Sequence, residues 1–280
     1  MSARFLAQEM STSFGQPAPL DNPAGAGDNI AAVVVAKSAP GGYTLLFCNT
    51  SHSVNLGLYG DKLMFDAVKD FTPITQVSTG PSVLIASLSL PGKDAKDVIA
   101  MAKANPGKLN LAVGGLGTSI HMVGELFKNM AGIDIVNVPY KGSSPALTDV
   151  VAGQIELMLA PVINVIPQIK AGRVKALGVT STTPIPALPA VPVIGAALPG
   201  DESAAFFGLL GSAGMPKDVL DKLHAAAAHG AQSEELKKRL APDGSKVVGG
   251  TPSEFKAFMR ADIEKWKKSC QGHWREAGVA

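Results

Sequence analysis

The sequence predicts an α/β fold of two domains built around largely parallel sheets, and three observations carry that expectation. Between residues 94 and 180, apolar runs of strand length alternate with stretches of helical periodicity. Within that region an apolar run twice breaks into a Gly/Ser/Thr-rich turn and opens a helix, as LNLAVGGLGTS from 109 and IVNVPYKGSSPA from 135. Apolar residues make up 46% of the chain and charged ones 17%, a balance that suits buried strands under helices and opposes disorder. At 280 residues the chain is long enough for two domains of ordinary size.

The elements follow in order. Residues 2–13 have helical spacing, and 28–38 form a second helix, capped by Asp28 and stopped before Pro40-Gly41-Gly42. A strand spans 43–49, with Thr50, Ser51, His52 and Ser53 as a polar turn at its carboxyl end. That end of an open parallel sheet is where ligands bind. A strand at 82–87 leads to Leu90-Pro91-Gly92, a change of direction and the expected crossing between domains. Helix 94–104, strand 109–113, helix 119–131, strand 135–139, helix 145–152, strand 155–160, helix 162–171 and strand 174–180 come next. Gly172 closes the last of these helices. Five prolines between 184 and 199 make a rigid connection, and a strand at 206–211 returns the chain to the first domain. Helices at 216–229, 233–240 and 252–277 complete it. The domains are therefore 1–90 with 206–280, and 91–205. Insertion of one domain between two crossings is the layout of a hinged binding protein that closes on a small ligand.

Bulk charge and motifs exclude several classes. The formal net charge is +2 with no basic block interleaved by aromatics, which argues against nucleic acid or an anionic membrane as partner. No window is apolar enough to span a bilayer; the best, 150–166, is interrupted by Gly153, Gln154, Glu156, Pro161 and Asn164. The first ten residues carry Arg4 and Glu9 and no unbroken apolar core, so they read as amphipathic helix and not as an export signal. On that reading the compartment is cytoplasmic if the start is genuine. The sequences from Gly25 and from Gly115 lack the third glycine of a dinucleotide fingerprint, and no Gly-Lys-Ser/Thr follows either. The five histidines and two cysteines show no zinc spacing, so no metal or cofactor is expected. Whether Cys48 and Cys270 pair is open; free thiols are the default.

The two strand–loop–helix junctions carry the chemistry. Gly114, Gly115 and Gly117 permit positive φ and close approach of a ligand to the main chain. Thr118 or Ser119 caps the following helix, while Ser144 caps the next one with Pro145 at its first position. Unpaired N–H groups and the helix dipole favour an anion at both places. The same glycines and serines would also serve as plain turns in any α/β protein. His121 is the one histidine with a route into such a site. A hydrolase using Ser119 with His121 is the weaker alternative, since residues two apart at a helix start diverge and no Gly-x-Ser-x-Gly elbow occurs.

Beyond these local readings, the chain resembles the Bug-type substrate-binding proteins of tripartite tricarboxylate transporters. The resemblance is carried in order by NPAGAG at 22–27, PGGYTLL at 40–46, VKDFTPI at 68–74, ANPGKL at 104–109 and GLGTSIHMVGELF at 115–127. It continues through VPYKGS at 138–143, IKAG at 169–172, LPAVP at 188–192 and FGLL at 207–210. It implies a type II periplasmic binding fold, a small carboxylate ligand, permease subunits as partners, a monomer, a periplasmic location and no catalysis. It also implies that the first strand of domain 1 and its carboxylate-holding loop are missing, that strand lying between one near 17–20 and the one at 43–49. The implied lining is Asn49, Thr50 and Ser51 from the first domain. From the second come Gly115, Gly117, Thr118, Ser119 and His121, then Tyr140, Lys141 and Gly142. Lys141 is either a ligand contact or a solvated turn lysine. Ala160 stands where relatives carry an aspartate able to pair with a ligand amine, which favours a simple carboxylate over an amino acid. A carboxylate sensor, or a remnant that feeds no permease, is the alternative role.

Overall fold

The computed structural model of the protein describes residues 2–23, 28–199 and 204–270. In chain order the first elements are α1 (Ser2–Phe14), α2 (Asn29–Ala36), β1 (Leu45–Asn49), α3 (Thr50–Tyr59) and β2 (Phe71–Ala86). Then come α4 (Ala95–Ala104), β3 (Asn110–Val113), α5 (Ser119–Ala131), β4 (Val136–Pro139), α6 (Ser143–Val151), β5 (Leu157–Pro161), α7 (Val162–Lys170) and β6 (Lys175–Val179). The chain closes with β7 (Ala204–Ser212), α8 (Lys217–Ala231), α9 (Glu234–Leu240), β8 (Lys246–Val247) and α10 (Pro252–Cys270). Two compact units result, 1–79 with 206–240 and 246–280, and 80–205 with 241–245. The first crossing therefore falls inside the long strand β2, and Leu90-Pro91-Gly92 lies within the second unit.

In the first unit, β1 runs antiparallel to β7 from Leu45↔Gly211 to Asn49↔Phe207, and β7 in turn neighbours β2. Its core gathers Leu46, Cys48, Phe65, Phe71, Phe206 and Leu210 with Phe255, Met259 and Ile263 of α10. Phe206 meets Phe258 edge-on at 5.1 Å between ring centres. Gly208 is required there, because a Cβ would sit 2.2 Å from Cζ of Phe255. Burial pushes the Cys48 thiol up to about 12.

Three expectations fail in this unit, the first being parallel pairing, since β1 runs antiparallel to β7 and β8 antiparallel to β2. Thr50, Ser51, His52 and Ser53 are not a turn but the first helical turn of α3. They are polar yet buried, and two of them find partners elsewhere in the chain: the Thr50 hydroxyl accepts from Phe206 N–H (3.1 Å), and His52 Nε2 meets the Ala67 carbonyl (3.0 Å). The strand expected near 17–20 is irregular chain. Among the described residues no strand pairs with the second edge of β1, and an open cavity of about 950 Å³ lies beside it. Its lining includes Leu6, Met10 and Phe14 of α1, Leu20, Val34 and Tyr43. Phe14, Leu20, Val34 and Tyr43 are 42%, 41%, 53% and 94% exposed. The carboxyl part of the expected last helix (271–277) and the glycines at 25 and 27 lie outside the described residues.

The second unit is one mixed sheet. β2 pairs antiparallel with β5 and β6, while β3 runs parallel to both β5 and β4. Helices α4 to α7 alternate with these strands, as the sequence pattern requires. Val83, Ile85, Ala112, Met158, Val165 and Val179 are among the fully buried apolar residues of its core. Because β3, β4 and β5 are parallel, their carboxyl ends deliver the starts of α5, α6 and α7 to one edge of the sheet.

Candidate functional site

The two glycine-bearing junctions meet within the second unit. The ladder between β3 and β4 continues past its last paired residues: Tyr140 N–H donates to the Val113 carbonyl (2.9 Å) and Gly142 N–H to the Gly114 carbonyl (3.0 Å). Gly114 packs closely against the start of α6: a Cβ there would stand 3.1 Å from both the backbone nitrogen and Oγ of Ser143, so Ser143 would have to give way. Gly115 and Gly117 adopt φ of 136° and 77°, conformations that favour glycine.

The helix starts differ in how they are finished. Thr118 caps α5: its hydroxyl accepts from His121 N–H (3.4 Å) and donates to the Gly115 carbonyl (2.8 Å). Gly142 caps α6 at φ 115°, in place of the expected Ser144, and offers no side-chain cap. Pro145 is accordingly the third helical residue. The first-turn N–H groups of Ser143 and Ser144 therefore receive no side-chain partner at that cap.

The other residues singled out in the sequence divide clearly. Lys141 is exposed beside the start of α6. The Tyr140 hydroxyl donates to Asp149 (2.6 Å); desolvation first, then this bond and the aspartate charge, push the phenol up to about 12. Asn49 caps α3, accepting from Ser51 N–H (2.7 Å), while its amide donates to Asp28 (3.0 Å). Ser119 is the first residue of α5.

Four residues face inward. Ala160 is fully buried in the core of the second unit, because β5 is covered on both faces, and it presents no open surface. Thr50 and Ser51 are 1% exposed, and Thr50 spends its hydroxyl on the Phe206 amide. His121 is completely buried and serves the loop from behind: Gly117 N–H donates to its Nδ1 (3.2 Å). On the other side of the ring lies a polar cluster with no counterpart among the expected site residues. Asn137 of β4 stands 3.2 Å from Nε2 and donates to Glu125 (2.6 Å), which is paired with Lys128. Lys128 in turn donates to the Ile135 carbonyl (3.1 Å). The three-to-four-residue spacing of His121, Glu125 and Lys128 on one helix is the signal that reveals it.

Among the described residues no group of three His, Cys, Asp or Glu side chains could hold a metal ion, and no helix is long and apolar enough to cross a membrane.

Residues 2–272 match the model of the tripartite tricarboxylate transporter family receptor. A protein from the tcbD-tcbE intergenic region of a Pseudomonas species is 36% identical over 95% of this chain and 80% of its own length. Protein BugT of Bordetella pertussis is 31% identical over 99% of this chain and 84% of its own. A solved periplasmic transporter superimposes with a TM-score of 0.93 at 35% identity, over 100% of this chain and 93% of that one. An R. palustris protein solved with adipate gives 0.91 at 32%, over 97% and 91%. A second protein from Rhodopseudomonas palustris, MatC, solved with bound malate, gives 0.91 at 29%, over 96% and 93%. Family and neighbours are binding proteins and not enzymes, and the fold is the two-domain periplasmic binding fold. The chain belongs to the receptor family of tripartite tricarboxylate transporters and is of the Bug type.

Proposed function

We propose that this protein captures a small di- or tricarboxylate in the periplasm and delivers it to the permease subunits of a tripartite transporter. The observation that supports this most is the backbone bond from Gly142 to Gly114, which sets the uncapped start of α6 against the glycine loop. In this reading a carboxylate accepts from the N–H groups of Ser143 and Ser144, backed by the dipole of α6. Gly115 and Gly117 keep the loop open to it. Thr118, Ser119 and Tyr140 flank the ligand, and Lys141 adds a cation. Adipate and malate in the solved relatives are the ligand chemistry this arrangement suits.

Thermal unfolding against a panel of adipate, malate, citrate, sugars and amino acids tests the proposal. A carboxylate should raise the midpoint progressively with concentration, since ligand at a hundred times Kd adds about 2.7 kcal/mol. A rise with sugars and none with any carboxylate would overturn it.

A further inference from the structure

We propose that His121 is a positioning residue that holds the glycine loop in its anion-binding shape only while its ring is neutral, so that acid releases the bound carboxylate. The proposal rests on the assignment of that loop to the ligand site. Its basis is what faces the ring. Gly117 N–H approaches Nδ1 at 3.2 Å, and the Asn137 amide nitrogen approaches Nε2 at 3.2 Å. Both are donors. A neutral imidazole keeps one bare nitrogen and accepts from one of them; an imidazolium carries a proton on each nitrogen and accepts from neither. Asn137 has other partners in Glu125 and Lys128 and can turn away. The Gly117 amide cannot turn, because it belongs to the backbone of the loop. Protonation therefore sets N–H against N–H at the position where Gly117 holds φ 77°, and the loop must move.

The charged groups facing the ring are few. Glu125, whose carboxylate oxygen lies 3.8 Å from Nε2, favours the charged form, and Lys128 opposes it by pairing with that carboxylate. Both are on α5. β4 supplies only Asn137, while β3 (Asn110–Val113), β5 (Leu157–Pro161) and loop residues 114–118 contain no ionisable side chain. Burial outweighs Glu125 and holds the His121 pKa below that of a free imidazole. The loop is thus set for ligand at neutral pH and is upset in acid.

The test uses the whole chain, with malate as probe, and two variants. His121→Gln keeps an acceptor for Gly117 N–H and cannot titrate. His121→Leu has none. Malate Kd is measured from pH 8 to pH 4.5, and the Gly117 amide is followed by nitrogen-15 NMR without ligand. Wild type should lose about tenfold more affinity across that range than His121→Gln, the equivalent of one unit of proton linkage. Protonation of malate itself is common to both and cancels. The Gly117 amide should shift with pH in wild type and stay fixed in His121→Gln, while His121→Leu should bind weakly at every pH. Superimposable pH profiles for wild type and His121→Gln would overturn the proposal. If wild type binds no malate at any pH, the ligand class proposed above is what fails, and the Gly117 amide still reports whether the ring holds the loop.

Discussion

Gly142 donates its backbone N–H to the carbonyl of Gly114, 28 residues earlier in the chain, at 3.0 Å. That bond extends the β3–β4 ladder beyond the sheet and joins two loops that would otherwise be separate turns. It also makes Gly114 a sensitive position. Gly114→Ala places a methyl group 3.1 Å from the nitrogen and Oγ of Ser143 and pushes the start of α6 away. We expect a stability loss of about 1–3 kcal/mol, in the range of overpacking, together with weaker carboxylate binding. Urea unfolding and calorimetric titration of the same variant measure the two effects.

Gly117→Val forces a β-branched residue to φ 77° in the loop beneath the proposed ligand. The conformational cost is roughly 1–3 kcal/mol. Circular dichroism should show the fold retained while carboxylate affinity falls sharply. Unchanged affinity would mean that the loop is a turn and nothing more.

His52 gives stability a separate dependence on pH in the first unit. Desolvation lowers its pKa from 6.5 to about 4, although the bond to the Ala67 carbonyl opposes this. Above 6.5 the ring is neutral in both folded and unfolded chain and contributes no slope. Below 6.5 the unfolded chain binds a proton that the folded one refuses, so stability declines until pH reaches about 4. The decline amounts to ~3 kcal/mol from this residue. Urea unfolding at pH 7.5 and pH 4.5 should show it, and His52→Gln should show less.

The cavity beside β1 exposes Phe14, Leu20, Val34 and Tyr43 together. A cluster of this kind favours dye binding and self-association. Val34→Lys should reduce anilinonaphthalene sulfonate fluorescence and concentration-dependent association, and should change stability by no more than about 0.5 kcal/mol. Equal fluorescence in both forms would place the dye elsewhere.

Much of the second unit was legible because strand and helix periods alternate cleanly there. From α4 to β6 each expected element appears with shifts of one or two residues at its ends. Illegible portions share one physical cause, dependence on distant partners. The first half of β2 reads FTPITQVST and carries Pro73 and polar residues, yet it is a strand because β7 and β8 pair with it. The polar start of α3 reads as a turn, but Phe206 and Ala67 satisfy it from elsewhere in the chain. At the site, the capping role of Thr118 followed from local chemistry. The inward turn of His121 did not, because it depends on Asn137 from the next strand.

A structure of the protein soaked in malate or adipate is the decisive test of carboxylate capture at the start of α6. The bound carboxylate should have oxygens that accept from the backbone N–H groups of Ser143 and Ser144, against the loop that runs from Gly114 to Gly117. A carboxylate held elsewhere, with the start of α6 and the glycine loop untouched, would contradict it.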